Sequence, residues 1–177
     1  MTTFLRESNA IENEFSDAAL EDSVLAWNYA LENYDNWGVD YVCGVHSELI
    51  KNLNPKIAGK LRRKNVYIVE RDFCGNKRII REIEAKGNKD RLRKWFKEYY
   101  DLKNLDKMLN AHIDFEMIHP FIDGNGRTGR ILYNAQRVNA GFGVEVFYEK
   151  DKQDYYKLFT DRQNELTLKE LMKNPLV

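Results

Sequence analysis

The sequence predicts a mostly α-helical domain that carries one small β-hairpin. Three observations predict it. Apolar residues recur at spacings of three and four through most of the chain, which is the helical period. One stretch, residues 66–83, is instead dense in β-branched residues. Only three prolines occur among 177 residues, and no Gly/Ser-rich or Pro-rich linker divides them, so a single domain over 1–177 is expected.

Each element has its own signal. Leu20, Val24, Trp27 and Leu31 place an apolar stripe on a helix from Asp17 to Asn33. Val42, Val45, Leu49 and Leu53 do the same before Pro55 stops the pattern. Val66-Tyr67-Ile68-Val69 and Ile79-Ile80-Arg81-Glu82-Ile83 flank Cys74-Gly75-Asn76, which has turn chemistry, and so form the hairpin. Leu92, Trp95, Phe96 and Tyr99 mark a further helix. Leu105, Leu109, His112 and Phe115 mark the next, with His112 read as a packed core residue. Arg127 to Ala140 follows as a helix with Ile131, Leu132, Ala135 and Val138 inward and Gly141 as its stop. Two last helices are expected at Asp151–Asp161 and Thr167–Lys173, the second opened by a Thr167/Glu170 capping box.

Composition narrows the setting. Three Trp, ten Tyr and nine Phe supply a substantial core. The first residues lack the apolar run of a signal peptide, and no stretch approaches the ~20 apolar residues that cross a bilayer. Cys43 and Cys74 are far apart and lack metal-ligand spacing, so two free thiols and a cytoplasmic location are expected. Charge is segregated. Residues 1–40 hold nine Asp/Glu against one Arg, and residues 56–93 hold thirteen Lys/Arg against five Asp/Glu. The basic stretch either attracts an anionic partner or complements the acidic one. No stacking-aromatic RNA motif or helix-turn-helix signature accompanies it, so nucleic acid is not the expected partner.

The chemistry concentrates between His119 and Arg130, in His119-Pro120-Phe121-Ile122-Asp123-Gly124-Asn125-Gly126-Arg127-Thr128-Gly129-Arg130. His119 can accept a proton near neutral pH. Asp123 can hold a hard cation through oxygen. Gly124-Asn125-Gly126 lets backbone N–H groups approach an anion. Arg127 and Arg130, three apart, share a helix face and suit phosphate oxygens. Phe121 reads as the core anchor of this loop, and Pro120 fixes φ beside the base. His112 and His119 have no third ligand at zinc-motif spacing.

This run resembles the signature of the Fic family, His-x-Phe-x-(Asp/Glu)-Gly-Asn-Gly-Arg-x-x-Arg, at every fixed position. The resemblance implies a helical Fic-type fold with a hairpin flap, and transfer of AMP from ATP to a Tyr, Ser or Thr hydroxyl of a target protein. It implies His119 as the base and Asp123 as the ligand of Mg²⁺ (or Mn²⁺). Gly124, Asn125, Gly126, Arg127 and Arg130 would bind the nucleotide. The target would dock at the hairpin around 66–83, which is longer and more basic than is usual in the family. Ser8-Asn9-Ala10-Ile11-Glu12-Asn13 resembles the family's inhibitory motif, (Ser/Thr)-x-x-x-Glu-(Gly/Asn). Residues 6–15 are therefore expected as an inhibitory helix in which Ser8, Glu12 and Asn13 carry the motif and Glu12 pairs with Arg130. Removal of AMP by the same site, related group transfer, and a nucleotide-binding module without catalysis stand as alternatives. A homo-oligomer is compatible with the sequence.

Overall fold

The computed structural model describes residues 2–71 and 77–173. Among these residues the order is α1 (Thr2–Ile11), α2 (Asp17–Glu32), α3 (Val39–Ile50), β1 (Val66–Arg71), β2 (Lys77–Ile83), α4 (Asn88–Glu98), α5 (Leu105–Ile118), α6 (Asn125–Asn139) and α7 (Lys152–Lys173). Short 3₁₀ turns sit at Tyr34–Asn36 and Glu149–Asp151. No described helix is long and apolar enough to cross a membrane.

Helix α6 is the hub, touching α1, α2, α3 and α5. That role explains its sequence. From Thr128 to Gln136 every residue is buried, because neighbours cover it on several sides. Val138 is the exception to the expected inward stripe; it lies in the last turn and is exposed. The core joins Trp27, Tyr41, Val45, Leu49, Trp95 and Phe115 to the motif helix through Ile131 and Leu132. Trp37 stacks on Trp95, with ring centroids 5.4 Å apart. Leu31, expected inward on α2, is exposed, since α2 buries its stripe through Trp27 and Ala30 near its end.

Local signals set most boundaries. Ser16 caps α2 by accepting the Ala19 N–H at 3.2 Å. Gly141, at φ 86°, ends α6 as expected, and the Phe142 N–H reaches back to the Arg137 carbonyl at 2.8 Å. Two expectations are corrected. The two C-terminal helices are one, α7. Residues 162–166 hold no Gly or Pro to break the helix, and Glu165 pairs with both Arg162 and Lys169 along it. Thr167 therefore caps nothing; its hydroxyl donates to the Gln163 carbonyl one turn back. At the other end, α1 spans Thr2–Ile11 rather than 6–15. The chain leaves the helix as the Glu12 N–H closes onto the Asn9 carbonyl and Asn13 turns to φ 58°.

The strands pair antiparallel from Val66↔Ile83 to Arg71↔Lys77, with a bulge between Ile68 and Val69. The expected turn at Cys74-Gly75-Asn76 lies outside the described residues. Arg62 ties the hairpin's base to the motif. Its Nη1 donates to the carbonyls of Lys64 and Ile83, its Nη2 to that of Glu84, and its Nε to that of His119 at 2.6 Å. Arg81 of β2 adds a bond to the Met117 carbonyl at 2.6 Å.

Candidate active site

The site forms where α5 ends and α6 begins. His119 caps α5 in the left-handed conformation, φ 49°, while its N–H still bonds the Phe115 carbonyl at 3.0 Å. That single residue turns the chain out of the helix. Gly124 turns it back in at φ 73°, a value glycine accepts without strain. A Cβ there would also press on the Ile50 side chain at 2.7 Å.

Between these two turns the loop is braced from inside. Asn125 bonds Phe121 twice, its Oδ1 accepting the N–H at 2.8 Å and its Nδ2 donating to the carbonyl at 3.0 Å. The buried Phe121 ring stacks on His46, with centroids 3.7 Å apart. His46 accepts the Gly59 N–H at Nδ1, so its Nε2 carries the proton and donates to the Asp123 carbonyl, both at 3.0 Å. Burial pushes its imidazole down to about 4, which keeps that tautomer neutral. Asn88 and the Arg62 N–H both bond the Pro120 carbonyl.

The expected site residues converge. Glu12, His119, Ile122, Asp123, Gly124, Asn125 and Gly126 line one pocket of about 120 Å³. Asp123 has its side chain 64% exposed at the mouth, with Oδ1 accepting the Gly124 N–H at 2.7 Å. The loop's anion-facing donors are therefore those of Asn125 and Gly126. Neither N–H bonds an acceptor among the described residues, as befits the first turn of α6.

Arg130 is buried and fully engaged. Its Nε donates to Ser8 Oγ at 2.8 Å, its Nη2 to the Ser8 carbonyl at 2.8 Å and to Glu12 Oε1 at 2.9 Å, and its Nη1 to Tyr155 Oη at 3.0 Å. Burial works against its charge, but the Tyr155 and Glu12 oxygens more than offset that and hold its pKa above the ordinary range. The Glu12 carboxylate fills the space over Gly126, where any Cβ would collide with it. Arg127 is buried too, and its one ion-pair contact among the described residues is Asp123, with Nη2 3.9 Å from Oδ2. Its Nε and Nη1 find no partner among the described residues. Ser8, Arg127 and Arg130 lie behind the pocket rather than in its lining, and Asn13, also outside it, is exposed.

His119 faces this pocket half-buried. Burial pushes its imidazole down to about 4. Arg62 and Arg81 act in the same direction, and the Glu116 carbonyl and Glu12 oppose them. Beneath it lies Glu116, buried, with Oε2 4.0 Å from His119 Nδ1 and Oε1 unpartnered among the described residues. Burial pushes the Glu116 carboxyl up to about 8, so it is neutral at pH 7. His112 is a core residue as expected, with Nε2 2.9 Å from Tyr155 Oη.

Sequence reading missed His46, Arg62, Glu116 and Tyr155. Only Glu116 left a signal, as a carboxylate four after His112 and three before His119 on one helix face. His46, beside the apolar stripe of α3, drew no reading of its own, and Arg62 was one charge in a basic run.

Comparison with known proteins agrees with the geometry. The chain is 26% identical over 154 residues to protein adenylyltransferase fic-1 of Caenorhabditis elegans, covering 86% of this chain and 28% of that protein. It is 27% identical over 121 residues to protein adenylyltransferase Fic of Nematostella vectensis, covering 67% of this chain and 27% of that protein. The chain thus spans little more than a quarter of the length of these relatives. A solved structure of a Fic family protein from Desulfovibrio desulfuricans G20 superposes with a TM-score of 0.76 at 20% identity, covering 93% of this chain and 57% of that one, which shows the shared fold. A profile described as the Fic/DOC family matches residues 36–136, more than half of the sequence. With that match, and with the signature complete from His119 to Arg130, the chain belongs to the Fic/DOC family.

Proposed function

We propose that this chain is a protein adenylyltransferase that moves AMP from ATP to a hydroxyl side chain of a target protein, and that Glu12 restrains it by occupying Arg130. The observation that carries this reading is the Glu12–Arg130 pair, 2.9 Å long and seated over Gly126 in the pocket that His119 lines. The free N–H groups of the α6 first turn, those of Asn125 and Gly126, belong to residues that line that pocket, and the buried, under-partnered Arg127 follows them on α6. A pocket of about 120 Å³ is small beside the ~300 Å³ or more of typical ligand sites. Withdrawal of Glu12 would enlarge it and release Arg130 for a phosphate.

In the proposed reaction the target's hydroxyl oxygen bonds the α-phosphorus as the bond to the β-phosphate oxygen breaks, and pyrophosphate leaves. His119 Nδ1 faces Glu116, which leaves Nε2 to take the hydroxyl proton. Asn125 and Gly126 N–H groups hold α- and β-phosphate oxygens, and Arg127 and Arg130 meet the leaving pyrophosphate. The described residues contain no group of three His, Cys, Asp or Glu that would cage a metal ion. The lone exposed carboxylate of Asp123 fits a cation that keeps its waters and phosphate ligands. Mg²⁺ or Mn²⁺ carried in with ATP would neutralise phosphate charge there. A target segment adding to an edge of the β1–β2 ribbon would be held in register by main-chain bonds.

Glu12 and His119 line one pocket, which supports a second reading in which Glu12 orients a water that removes AMP from a modified protein. Incubating wild type and Glu12→Gly with α-labelled ATP and Mg²⁺ tests the first. Label is expected in protein, more with the variant, and none in EDTA. Release of AMP from a premodified protein by wild type, with no labelling by either form, would replace it with the second.

A further inference from the structure

Next to the small pocket runs a much larger groove of about 1170 Å³, formed by the loop after α3 and the turn into α4. Ile122 of the motif loop lines both. Six of the groove's cations, Lys56, Lys60, Arg63, Lys64, Lys86 and Lys89, are exposed, and none forms an ion pair with a described residue. Lys60 turns only to the Lys56 carbonyl. The single acidic residue lining it among the described residues, Asp90, is drawn instead to Arg93 at 3.0 Å. These six cations therefore form no ion pair with the acidic N-terminal residues. Six unpaired cations on one concave wall repel each other, and an anionic occupant relieves that repulsion.

We propose that this groove docks an acidic peptide segment, one whose carboxylates alternate with aliphatic side chains, on the protein that receives the nucleotide group. The proposal rests on the transferase reading for the identity of that protein, though not for the binding itself. Two observations choose a peptide over nucleic acid. No aromatic side chain among the described residues lines the groove, so bases would find no surface there on which to stack. Ile57, Leu61 and Ile122 give it an apolar floor between the cations, which suits aliphatic side chains. Position gives the reason for a target. A hydroxyl reaching His119 passes Ile122, and the chain around it then lies along the groove. The hairpin would fix backbone register, and the groove would select by charge.

The test uses the full chain and a fluorescent Glu-Leu repeat peptide, followed by anisotropy. The comparisons are a Lys-Leu peptide, a single-stranded oligonucleotide of equal charge, and the variant Lys60→Glu/Arg63→Glu/Lys86→Glu, whose sites lie on the surface outside the nucleotide pocket. The Glu-Leu peptide is expected to bind the wild type, to weaken as salt rises, and to bind the folded variant about tenfold or more weakly. ATP affinity is expected to be equal in both. In the Glu12→Gly background, the charge reversal should raise KM for protein substrate and leave kcat unchanged. Equal peptide binding by wild type and variant, or tighter binding of the oligonucleotide, would overturn the proposal. So would a wild-type dimer that the reversal dissociates, since the groove would then hold a second copy. Protein labelling without peptide binding would sink the groove alone. Peptide binding lost on reversal, without any labelling, would keep the acidic-peptide site and remove the transferase.

Discussion

Glu12 and Arg130 lie 118 positions apart in the chain and meet at 2.9 Å. The arginine side chain is 1% exposed and the glutamate 34%. A buried cation is costly unless it is paired and its donors are satisfied. Ser8 and Tyr155 satisfy donors, but only Glu12 brings a formal negative charge within hydrogen-bond distance. Removing Glu12 leaves a buried charge that a phosphate can answer, and removing Arg130 leaves nothing to answer. His119 is the other residue on which the proposed reaction turns. His119→Ala is expected to keep fold and ATP affinity while cutting transfer by roughly 10²–10⁴-fold. Label incorporation and equilibrium nucleotide binding, measured on one preparation, check this. Transfer at the wild-type rate would remove His119 as the base. His119 and Arg130 were legible in the sequence because the signature is local, within twelve consecutive positions, and Glu12 through a second short motif, Ser8 to Asn13. Glu116 was not, because a carboxylate inside an apolar helix stripe shows its unusual state only once burial is known.

At the scale of elements, the loop between α5 and α6 owes its shape to groups distant in sequence. His46 of α3 holds the Asp123 carbonyl, and Arg62 holds that of His119 while gripping both ends of the hairpin. Arg62 is buried and answers carbonyls rather than a carboxylate, so burial, with Arg91 and Arg81 adding to it, moves its pKa below the ordinary range. Arg62→Ala would orphan several carbonyls at once. A loss of roughly 2–3 kcal/mol is expected in urea unfolding, with faster amide exchange in β1 and β2 than in α2. Arg62→Lys keeps the charge but not the fork, and should rescue little of it. Unchanged exchange in the hairpin would show that the clamp does not hold it. Helices α2 to α6 were legible as elements from apolar period and breakers. The break expected between residues 161 and 167 was not real, since a polar stretch without Gly or Pro stays helical when ion pairs line it. The end of α1 was misplaced because Asn13 turns left-handed with no glycine to announce it.

The whole molecule buries its titrating groups in two opposed sets. Glu116 unfolded loses its proton near 4.5 but holds it in the fold up to about 8. The folded state binds more protons between those values, so this group's stabilisation fades as pH rises through that window. His46, His112 and His119 do the reverse. Free imidazoles charge below about 6.5, whereas burial holds these neutral to about 4, 3 and 4. Their stabilisation is lost as pH falls from 6.5 toward 4. Stability is therefore expected to peak near pH 6.5, with an acid limb from the histidines and an alkaline limb from Glu116. Thermal melts followed by circular dichroism between pH 4.5 and 8 measure both limbs. Glu116→Gln should flatten the alkaline limb alone, and an unchanged limb would assign it elsewhere. Neither limb could be read in full from the sequence, which places His112 in the core but does not show that the fold encloses His46, His119 and Glu116 as well.

The central claim is that Glu12 holds the site closed by taking the place of a phosphate on Arg130. The most direct measurement is the rate of AMP transfer from α-labelled ATP by wild type, Glu12→Gly and Glu12→Gly/Arg130→Ala under one set of conditions. Glu12→Gly is expected to exceed wild type by on the order of tenfold or more, the gain from a half-buried ion pair exchanged for substrate. The double variant is expected to fall back to wild type or below, because the cation that Glu12 releases is then gone. Equal rates for wild type and Glu12→Gly, or a double variant as fast as Glu12→Gly, would contradict the account.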